Sequence, residues 1–315
     1  MNGFIFLFWH YFFFSCRLAG HLDCLVAFAI VSRENNWVRP RLVGGGQGLA
    51  IRGGRHPLQE LTVNQFIGND TRLGGDAPPL HLLTGPNSSG KSVYLRQVGL
   101  IVYLAHLGCW VPAAAATVPI TDRILTRIHT VESISLGMSA FQCDLGQVAA
   151  ALRCSTANSL LLVDEFGKGT APEDGEALLA ALAAELLARG AACPATLLST
   201  HFHGCARLLG PHPLLAHYRL ATDAAPGGGV TYLYRLEEGQ GATSEALAVA
   251  GKAGLPAEVL ARAAEVGEGR GLVLPAAGLP LARVHSLLEE LVDLDTADQD
   301  QVELFMEAVM EAGRV

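Results

Sequence analysis

A glycine-rich segment at residues 84–92 has the residue types and spacing of a loop that binds phosphate groups. It fits the pattern G-x-x-x-x-G-K-[ST], and it lies between a short apolar segment at 80–83 and a helix candidate over 93–104. In such a loop, successive backbone N–H groups and the N-terminus of the following helix surround a phosphate. A glycine turn that matches by chance is the alternative, and the flanking elements argue against it. The pattern predicts that the chain binds a nucleoside triphosphate.

A continuous run of loop residues is predicted to contact this nucleotide. Lys91 would reach the β- and γ-phosphates, and the Ser92 hydroxyl would bind Mg²⁺. The glycines allow the backbone to fold tightly enough to approach the phosphates. The predicted contacts are Gly85, Pro86, Asn87, Ser88, Ser89, Gly90, Lys91 and Ser92.

Two carboxylates end the next strongly apolar segment, at residues 160–165. Asp164 is placed to hold the hydration shell of Mg²⁺ beside Ser92. Glu165 is the candidate general base, which would orient the attacking water. An isolated acidic pair is commonly a solvated strand end, but downstream of a phosphate loop the pair favours phosphoryl chemistry.

A third apolar segment, at residues 197–200, ends in His201. A histidine at such a position can simply pack in a core. In a site with two carboxylates, the favoured interpretation is that it senses the γ-phosphate or positions the water. We therefore treat Glu165 and His201 as the candidate catalytic pair.

Taken together, these motifs resemble the ATPase domain of the MutS family of DNA mismatch and recombination proteins. Residues 84–92, Val-Asp-Glu-Phe-Gly-Lys-Gly-Thr at 163–170 and Ser-Thr-His at 199–201 provide most of the resemblance, which covers roughly residues 18–265. The Asn-Ser-Ser-Gly and Glu-Phe-Gly-Lys-Gly-Thr variants are similar to the fifth eukaryotic homologue, the meiotic branch. This implies ATP and Mg²⁺ as cofactors, a nuclear location, and action with the fourth homologue as partner on recombination intermediates that lead to crossovers.

The resemblance also implies roles for three further residues. Phe66 falls where the family stacks an aromatic ring on adenine, and Tyr234 falls where other members place a second ring. Base–aromatic stacking is worth roughly 1–3 kcal/mol per base. Ser139 lies in the stretch that a partner subunit places opposite the nucleotide, so it would act in trans. Without the resemblance, the rings would be read as core residues and Ser139 as the N-cap of a helix that begins at residue 140.

Two departures from the family pattern limit what can be transferred. Thr-Ser-Glu-Ala at residues 243–246 stands where relatives have Lys-Ser-Tyr-Gly, and Asp144 replaces a more usual glutamate. Neither change is predicted to touch a phosphate or a metal.

Charge argues against a DNA-gripping surface on this chain. Its 315 residues include 22 basic and 30 acidic residues, giving a net charge of −8, and no Lys/Arg cluster is evident. Neutralisation of phosphates dominates DNA affinity. Since family members are far longer, we expect the chain to be a C-terminal fragment, or a gene prediction lacking upstream exons, and DNA to be bound through the missing upstream domains.

The opening residues 1–16 are very apolar and fit nothing in the family. They lack the basic start and the clear cleavage site of a signal peptide. We interpret these residues as translated non-coding sequence or an artefact, with a targeting signal as the alternative. No membrane partner is expected. The seven cysteines form no CxxC pair, which suits a reducing compartment.

Alternating apolar and helical patterns predict an α/β fold, a P-loop ATPase domain of the ABC type with a mostly parallel sheet. Strands are predicted near 80–84, 123–129, 159–164 and 194–200, helices near 21–34, 91–107, 140–153 and 173–189, and a hairpin from 215–221 and 230–236. The predicted organisation is a non-family segment (1–17), the end of a lever helix with a linker (18–45), the ATPase domain (46–250) and a helical dimerisation region (251–315). In that last region, helices over 281–291 and 301–312 follow a linker at 269–280.

Three functions are alternatives to a MutS-type recombination ATPase. A transporter-type ATP-binding subunit would contain Leu-Ser-Gly-Gly-Gln, whereas residues 133–139 read Ser-Ile-Ser-Leu-Gly-Met-Ser. A non-catalytic scaffold would be expected to have lost at least one of the chemical groups named above. A mismatch-repair member of the same family remains the alternative within MutS.

Overall fold

The computed structural model describes residues 2–128, 139–202, 204–225, 229–240, 247, 250–251 and 253–267. The chain divides into two compact units, Met1–Lys252 and Ala253–Val315. Three features of the sequence analysis lie outside the described residues: the predicted linker at 269–280, the two helices predicted after it and the departure at 243–246. The dimerisation role of residues 251–315 stays a prediction.

From residue 80 onward, helices separate most of the strands of the first unit. In chain order they are α1 (Asn2–Glu34), β1 (Arg41–Val43), β2 (Leu49–Gly54), β3 (Asn69–Leu73), β4 (Leu80–Thr84), α2 (Lys91–His106), β5 (Ala115–Pro119), β6 (Ile124–Arg127), α3 (Ala140–Cys154), β7 (Leu160–Asp164), α4 (Pro172–Ala188), β8 (Ala195–Thr200), α5 (Cys205–Leu209), β9 (Leu215–Ala225) and β10 (Gly229–Glu238), with short 3₁₀ helices at Gln59–Leu61 and Gly190–Ala192. The described part of the second unit contains α6 (Ala257–Gly267).

A six-stranded sheet in the order β10-β9-β4-β8-β7-β6 forms the centre of the first unit. The pairs β9–β4, β4–β8, β8–β7 and β7–β6 are parallel, and β10 is antiparallel to β9 at one edge. The predicted α/β class and mostly parallel sheet are confirmed. Because parallel strands end at the same edge, the segments after β4, β7 and β8 converge there.

Both faces of this sheet are covered by helices, which explains why its strands read as continuous apolar runs. Along β4, Leu82 packs into a cluster with Leu179 of α4, and the next residue, Leu83, packs into a second cluster with Leu95 of α2. Full burial of one such leucine stabilises the fold by roughly 1.5–3 kcal/mol.

A second sheet, in the order β1-β5-β2-β3, was not predicted. Its strands are short, and β2 alternates buried and exposed residues instead of forming an apolar run. Leu49 and Ile51 of β2 share a buried cluster with Tyr94 and Val98 of α2. Helix α2 therefore packs between the two sheets, and this holds the segment that begins it, the phosphate loop, in a fixed place.

The N-terminal helix α1 is longer than predicted. Asn2–Glu34 forms one continuous helix of 33 residues that no proline interrupts, whereas the sequence predicted a helix only near residues 21–34. Large apolar side chains along it, such as Leu18 and Leu25, are exposed. Phe12–Glu34 has the length and mean hydropathy of a membrane-spanning helix, criteria that a signal sequence near an N-terminus also meets. The absence of a membrane partner stays a prediction.

One buried histidine makes the stability of this fold sensitive to pH. His81 of β4 is 2% exposed, and its ring lies against that of Tyr218 with the ring centres 4.5 Å apart. Burial lowers the pKa of His81 to about 4, and contacts with the backbone of Arg72 and Pro78 only partly offset this.

We expect the free energy of unfolding to fall as the pH falls through 6.5 towards 4. Between these values the unfolded chain binds a proton at His81 that the folded chain does not, which costs at most about 1.4 kcal/mol per pH unit. His81→Phe keeps an aromatic ring and removes the titration, so urea unfolding at pH 7 and pH 5 should show a smaller pH dependence than the parent. His21→Phe, on exposed α1, is the control. An unchanged dependence in His81→Phe would contradict the assignment.

Candidate functional site

The loop between β4 and α2 has the strained backbone that its glycines predict. Gly85 and Gly90 have φ values of 151° and 104°, and Ser88 has a φ of 65°. Gly90 is the last residue before α2, and its backbone is left-handed there, a conformation that a residue with a side chain would adopt only with strain. This shape leaves the first N–H groups of α2 facing the space where a phosphate would lie.

Lys91 is folded back onto its own loop. Its Nζ donates to the carbonyl oxygens of Gly85 at 2.6 Å and Pro86 at 2.9 Å, and the side chain is 3% exposed. Burial lowers the pKa of Lys91, although the charges of Glu165 and Asp164 act in the opposite direction. The ammonium group thus stays at the base of the loop, held by carbonyl groups that an incoming phosphate can replace.

Glu165 follows β7 and faces the same space. Its Oε1 lies 3.8 Å from the Nζ of Lys91, and its Oε2 accepts a hydrogen bond of 3.0 Å from Lys168. Burial alone would raise the pKa of Glu165, but the hydrogen bond and charge of Lys168, with the charge of Lys91, outweigh that effect and lower it. An ionised carboxylate is the form that can accept a proton from water.

Asp164 is buried and anchored by residues to which the sequence assigned no role. Its Oδ1 accepts a hydrogen bond from the hydroxyl of Ser199, and its backbone carbonyl accepts one from Arg127. Arg127 also forms an ion pair with Asp144 of α3, which is 3% exposed. Asp144 was predicted to touch no phosphate or metal. In the structure it pairs with Arg127, which in turn bonds the last residue of β7.

A cavity of about 600 Å³ joins most of the predicted nucleotide contacts. Its walls include Phe66, Tyr234, Glu165 and the loop residues Asn87, Ser88, Ser89, Gly90, Lys91 and Ser92. Tyr234 is 47% exposed, and a methyl group placed on Gly90 would come within 3.4 Å of its ring. The structure therefore brings both aromatic residues to the phosphate loop.

Four predicted residues do not line this cavity. Gly85 and Pro86 contribute the carbonyls that hold Lys91, and Asp164 is 4% exposed at the end of β7. His201 is half-buried with its ring 4.2 Å from that of Phe202, and its charge contributes to the lowered pKa of Glu165. The histidine is thus near the carboxylate that it was predicted to assist.

Ser139 is exposed and caps helix α3. Its Oγ accepts a hydrogen bond of 3.2 Å from the backbone N–H of Gln142, and the Gln142 side chain accepts one of 3.0 Å from the N–H of Ser139. This is the reciprocal capping arrangement. The structure shows the capping role that the sequence analysis kept as an alternative, and the role in trans stays a prediction.

The residues predicted to bind a metal supply oxygen atoms only. Among the described residues, there is no group of three or more His, Cys, Asp or Glu side chains that could hold an ion by itself. Mg²⁺ usually binds one or two protein oxygens together with phosphates and water. The Ser92 hydroxyl and the Asp164 carboxylate fit that pattern.

Comparison with known proteins matches much of this chain to one family. Residues 81–269 match the family MutS domain V. The chain is 40% identical over 252 residues to MutS protein homolog 5 of Caenorhabditis elegans, covering 79% of this chain and 18% of that protein. It is 42% identical over 243 residues to DNA mismatch repair protein MutS of Sorangium cellulosum (76% and 26%), and 40% identical over 256 residues to DNA mismatch repair protein MutS 2 of Halobacterium salinarum (79% and 28%). The chain thus spans 18–28% of the length of these relatives.

We expect substitutions at Lys91 and Glu165 to separate binding from hydrolysis. Lys91→Ala removes the cation that faces the phosphates, so it should abolish ATP binding in equilibrium titrations. Glu165→Ala should still bind ATP but lose hydrolysis, because the carboxylate acts on the water. If Glu165→Ala turned over ATP at the parental rate, its assignment as general base would be wrong.

We expect Arg127 to support turnover from outside the cavity. Arg127→Ala removes a charged hydrogen bond to the Asp164 carbonyl, and such bonds are worth about 1.5–3 kcal/mol. Turnover should fall by about tenfold to a hundredfold while the ATP dissociation constant changes little. Asp144→Glu keeps the ion pair and should retain most of the activity.

The matched control for this prediction is Arg123→Ala. Arg123 also donates to a backbone carbonyl, that of Cys154, but it precedes β6 and lies at the far end from the acidic pair. Thermal melting of each variant checks folding. An equal loss of turnover in Arg123→Ala, or none in folded Arg127→Ala, would contradict the prediction.

Proposed function

Because this chain belongs to the MutS family, and the region matched is that family's ATPase domain, we propose that it binds and hydrolyses ATP within a MutS-type DNA recombination protein. The observation that supports this most directly is the single cavity that joins the phosphate loop, Glu165 and two aromatic rings. A phosphate group, a water molecule and a purine each have a suitable neighbour there.

Each group of the site is assigned one task. Lys91 and the loop N–H groups bind the β- and γ-phosphates, while Phe66 and Tyr234 flank the adenine. Ser92 and Asp164 are the oxygen donors that would hold Mg²⁺, whose charge offsets that of the phosphates. Glu165 orients the attacking water and accepts its proton, and His201 supports Glu165 or senses the γ-phosphate.

The meiotic branch is the preferred assignment within the family. The similarity to MutS protein homolog 5 of Caenorhabditis elegans supports it, together with the Asn-Ser-Ser-Gly and Glu-Phe-Gly-Lys-Gly-Thr variants. In this proposal the protein is nuclear, pairs with the fourth homologue and acts on recombination intermediates in crossover formation. DNA mismatch repair is the second candidate, and the 42% identity to the Sorangium cellulosum protein favours it.

A partner subunit completes the proposed site. Ser139 is exposed, and its capping bond uses the oxygen as an acceptor, which leaves the hydroxyl proton for donation to a γ-phosphate in trans. A phosphoryl-transfer site gains much of its rate from correctly placed donors. With a net charge of −8, the chain by itself should bind duplex DNA weakly.

We expect this chain alone to hydrolyse ATP slowly, and a MutS-type partner domain to raise the rate by about a hundredfold. In a mixed dimer with Lys91→Ala in this chain, turnover reports the partner's site alone. Ser139→Ala in this chain should reduce that turnover, and Ser139→Thr should preserve it.

Ser139→Asp separates the two roles of this serine, because aspartate caps a helix but has no proton to donate. Full activity of Ser139→Asp would mean that Ser139 acts only as a cap. Full-rate hydrolysis by the isolated chain at a concentration where it is monomeric would refute the need for a partner. Tight, salt-sensitive binding of duplex DNA by the isolated chain would also contradict the proposal.

A further inference from the structure

Strand β10 is interrupted at the position that delivers Tyr234 to the cavity. Its pairing with β9 shifts register between Tyr232 and Leu236. Within this irregular stretch Tyr234 has a φ of 52°, a left-handed conformation that is unusual for an aromatic residue. A backbone of this shape needs hydrogen-bond partners from outside its own ladder.

The side chain of Asn69 provides those partners. Its Nδ2 donates to the carbonyl oxygen of Tyr234 at 2.9 Å, and its Oδ1 accepts from the backbone N–H of Leu236 at 2.7 Å. Asn69 is 7% exposed, so water has little access to these bonds. An amide side chain is suited to this place because it both donates and accepts.

Asn69 also contacts the segment that presents Phe66. Its Nδ2 lies 3.4 Å from the carbonyl oxygen of Ile67, the residue after Phe66. Asn69 begins β3 of the four-stranded sheet, whereas β10 is the edge of the six-stranded sheet. One side chain therefore connects the backbone segments that present Phe66 and Tyr234.

We propose that Asn69 is a positioning residue that sets the separation of Phe66 and Tyr234 for a purine base. This inference rests on the proposed ATP-binding function. Stacking depends on the distance between two ring faces, and a buried amide that fixes the backbone on both sides would set this distance before the nucleotide arrives. Asn69 lines the cavity but acts on the base through the two rings.

The test compares a ligand that has a base with one that lacks it. Calorimetric titrations with ATP and with inorganic tripolyphosphate are run on the parent, Asn69→Ala and Asn69→Asp. Asn69→Asp keeps the acceptor for Leu236 but turns the donor that faces Tyr234 into an acceptor. Both variants should bind ATP about tenfold to a hundredfold more weakly, the loss expected when stacking fails, with tripolyphosphate affinity unchanged.

The matched control is Asp70→Ala, the next residue on the same strand. Asp70 also bonds a backbone N–H, that of Gly53, at 2.7 Å, but it is exposed and lines no part of the cavity. ATP affinity should not change in this control. Combining Asn69→Ala with Tyr234→Ala should weaken ATP binding no further than Tyr234→Ala alone, because the separation of the two rings that Asn69 sets no longer exists once one ring is gone.

Three results would overturn the inference: unchanged ATP affinity in a folded Asn69 variant, an equal loss of tripolyphosphate binding, or additive losses in the double variant. Thermal melting identifies variants that fail to fold, and Asn69→Asp, which keeps the bond to the N–H of Leu236, provides the measurement if Asn69→Ala does not fold. Failure of the parent itself to bind ATP would instead refute the proposed function, and this inference with it.

Discussion

Parallel hydrogen bonding between β4, β8 and β7 determines where the chemical groups of this protein meet. The register pairs Thr84 with Thr200 and Asp164 with Ser199, so all three strands end at the same level. The phosphate loop, the histidine and the acidic pair each follow one of these strands directly. A slip of one residue in either pairing would turn the strand's side chains to the opposite face and separate the groups.

Burial of α2 on both sides determines how strongly charges interact at the edge of the sheet where β4, β7 and β8 end. The helix lies between two sheets, so its first residue, Lys91, begins the helix with little exposure to water. The exposed Lys168 lowers the pKa of Glu165 through its hydrogen bond and charge, and the buried Lys91 adds a charge that water screens little, so the pKa stays low despite the partial burial of Glu165. The fold thus supplies a cation and an anion 3.8 Å apart at the cavity that contains the phosphate loop.

The sequence predicted those parts of the molecule that depend on local patterns. The apolar runs of β4, β7 and β8 were predicted nearly to the residue, because burial on both faces leaves a pattern that needs no tertiary information. The short, half-exposed strands β1 and β2 were missed because they have no such run. The contacts of Asn69 with β10 and of Arg127 with α3 join residues far apart in the chain, and a single polar residue gives no sign of such a partner. The roles of the predicted site residues follow from the family resemblance and stay predictions.

The bonds from Lys91 to the carbonyl oxygens of Gly85 and Pro86 affect the shape that the phosphate loop keeps between one nucleotide and the next. A loop cross-linked by its own ammonium group keeps its curvature when nothing is bound, so it can empty and refill without unfolding and refolding. Entry of a phosphate then resembles a ligand exchange, in which carbonyl oxygens leave the ammonium as phosphate oxygens arrive. In the proposed cycle of ATP binding and hydrolysis, such a loop would be ready for the next nucleotide as soon as the products have left.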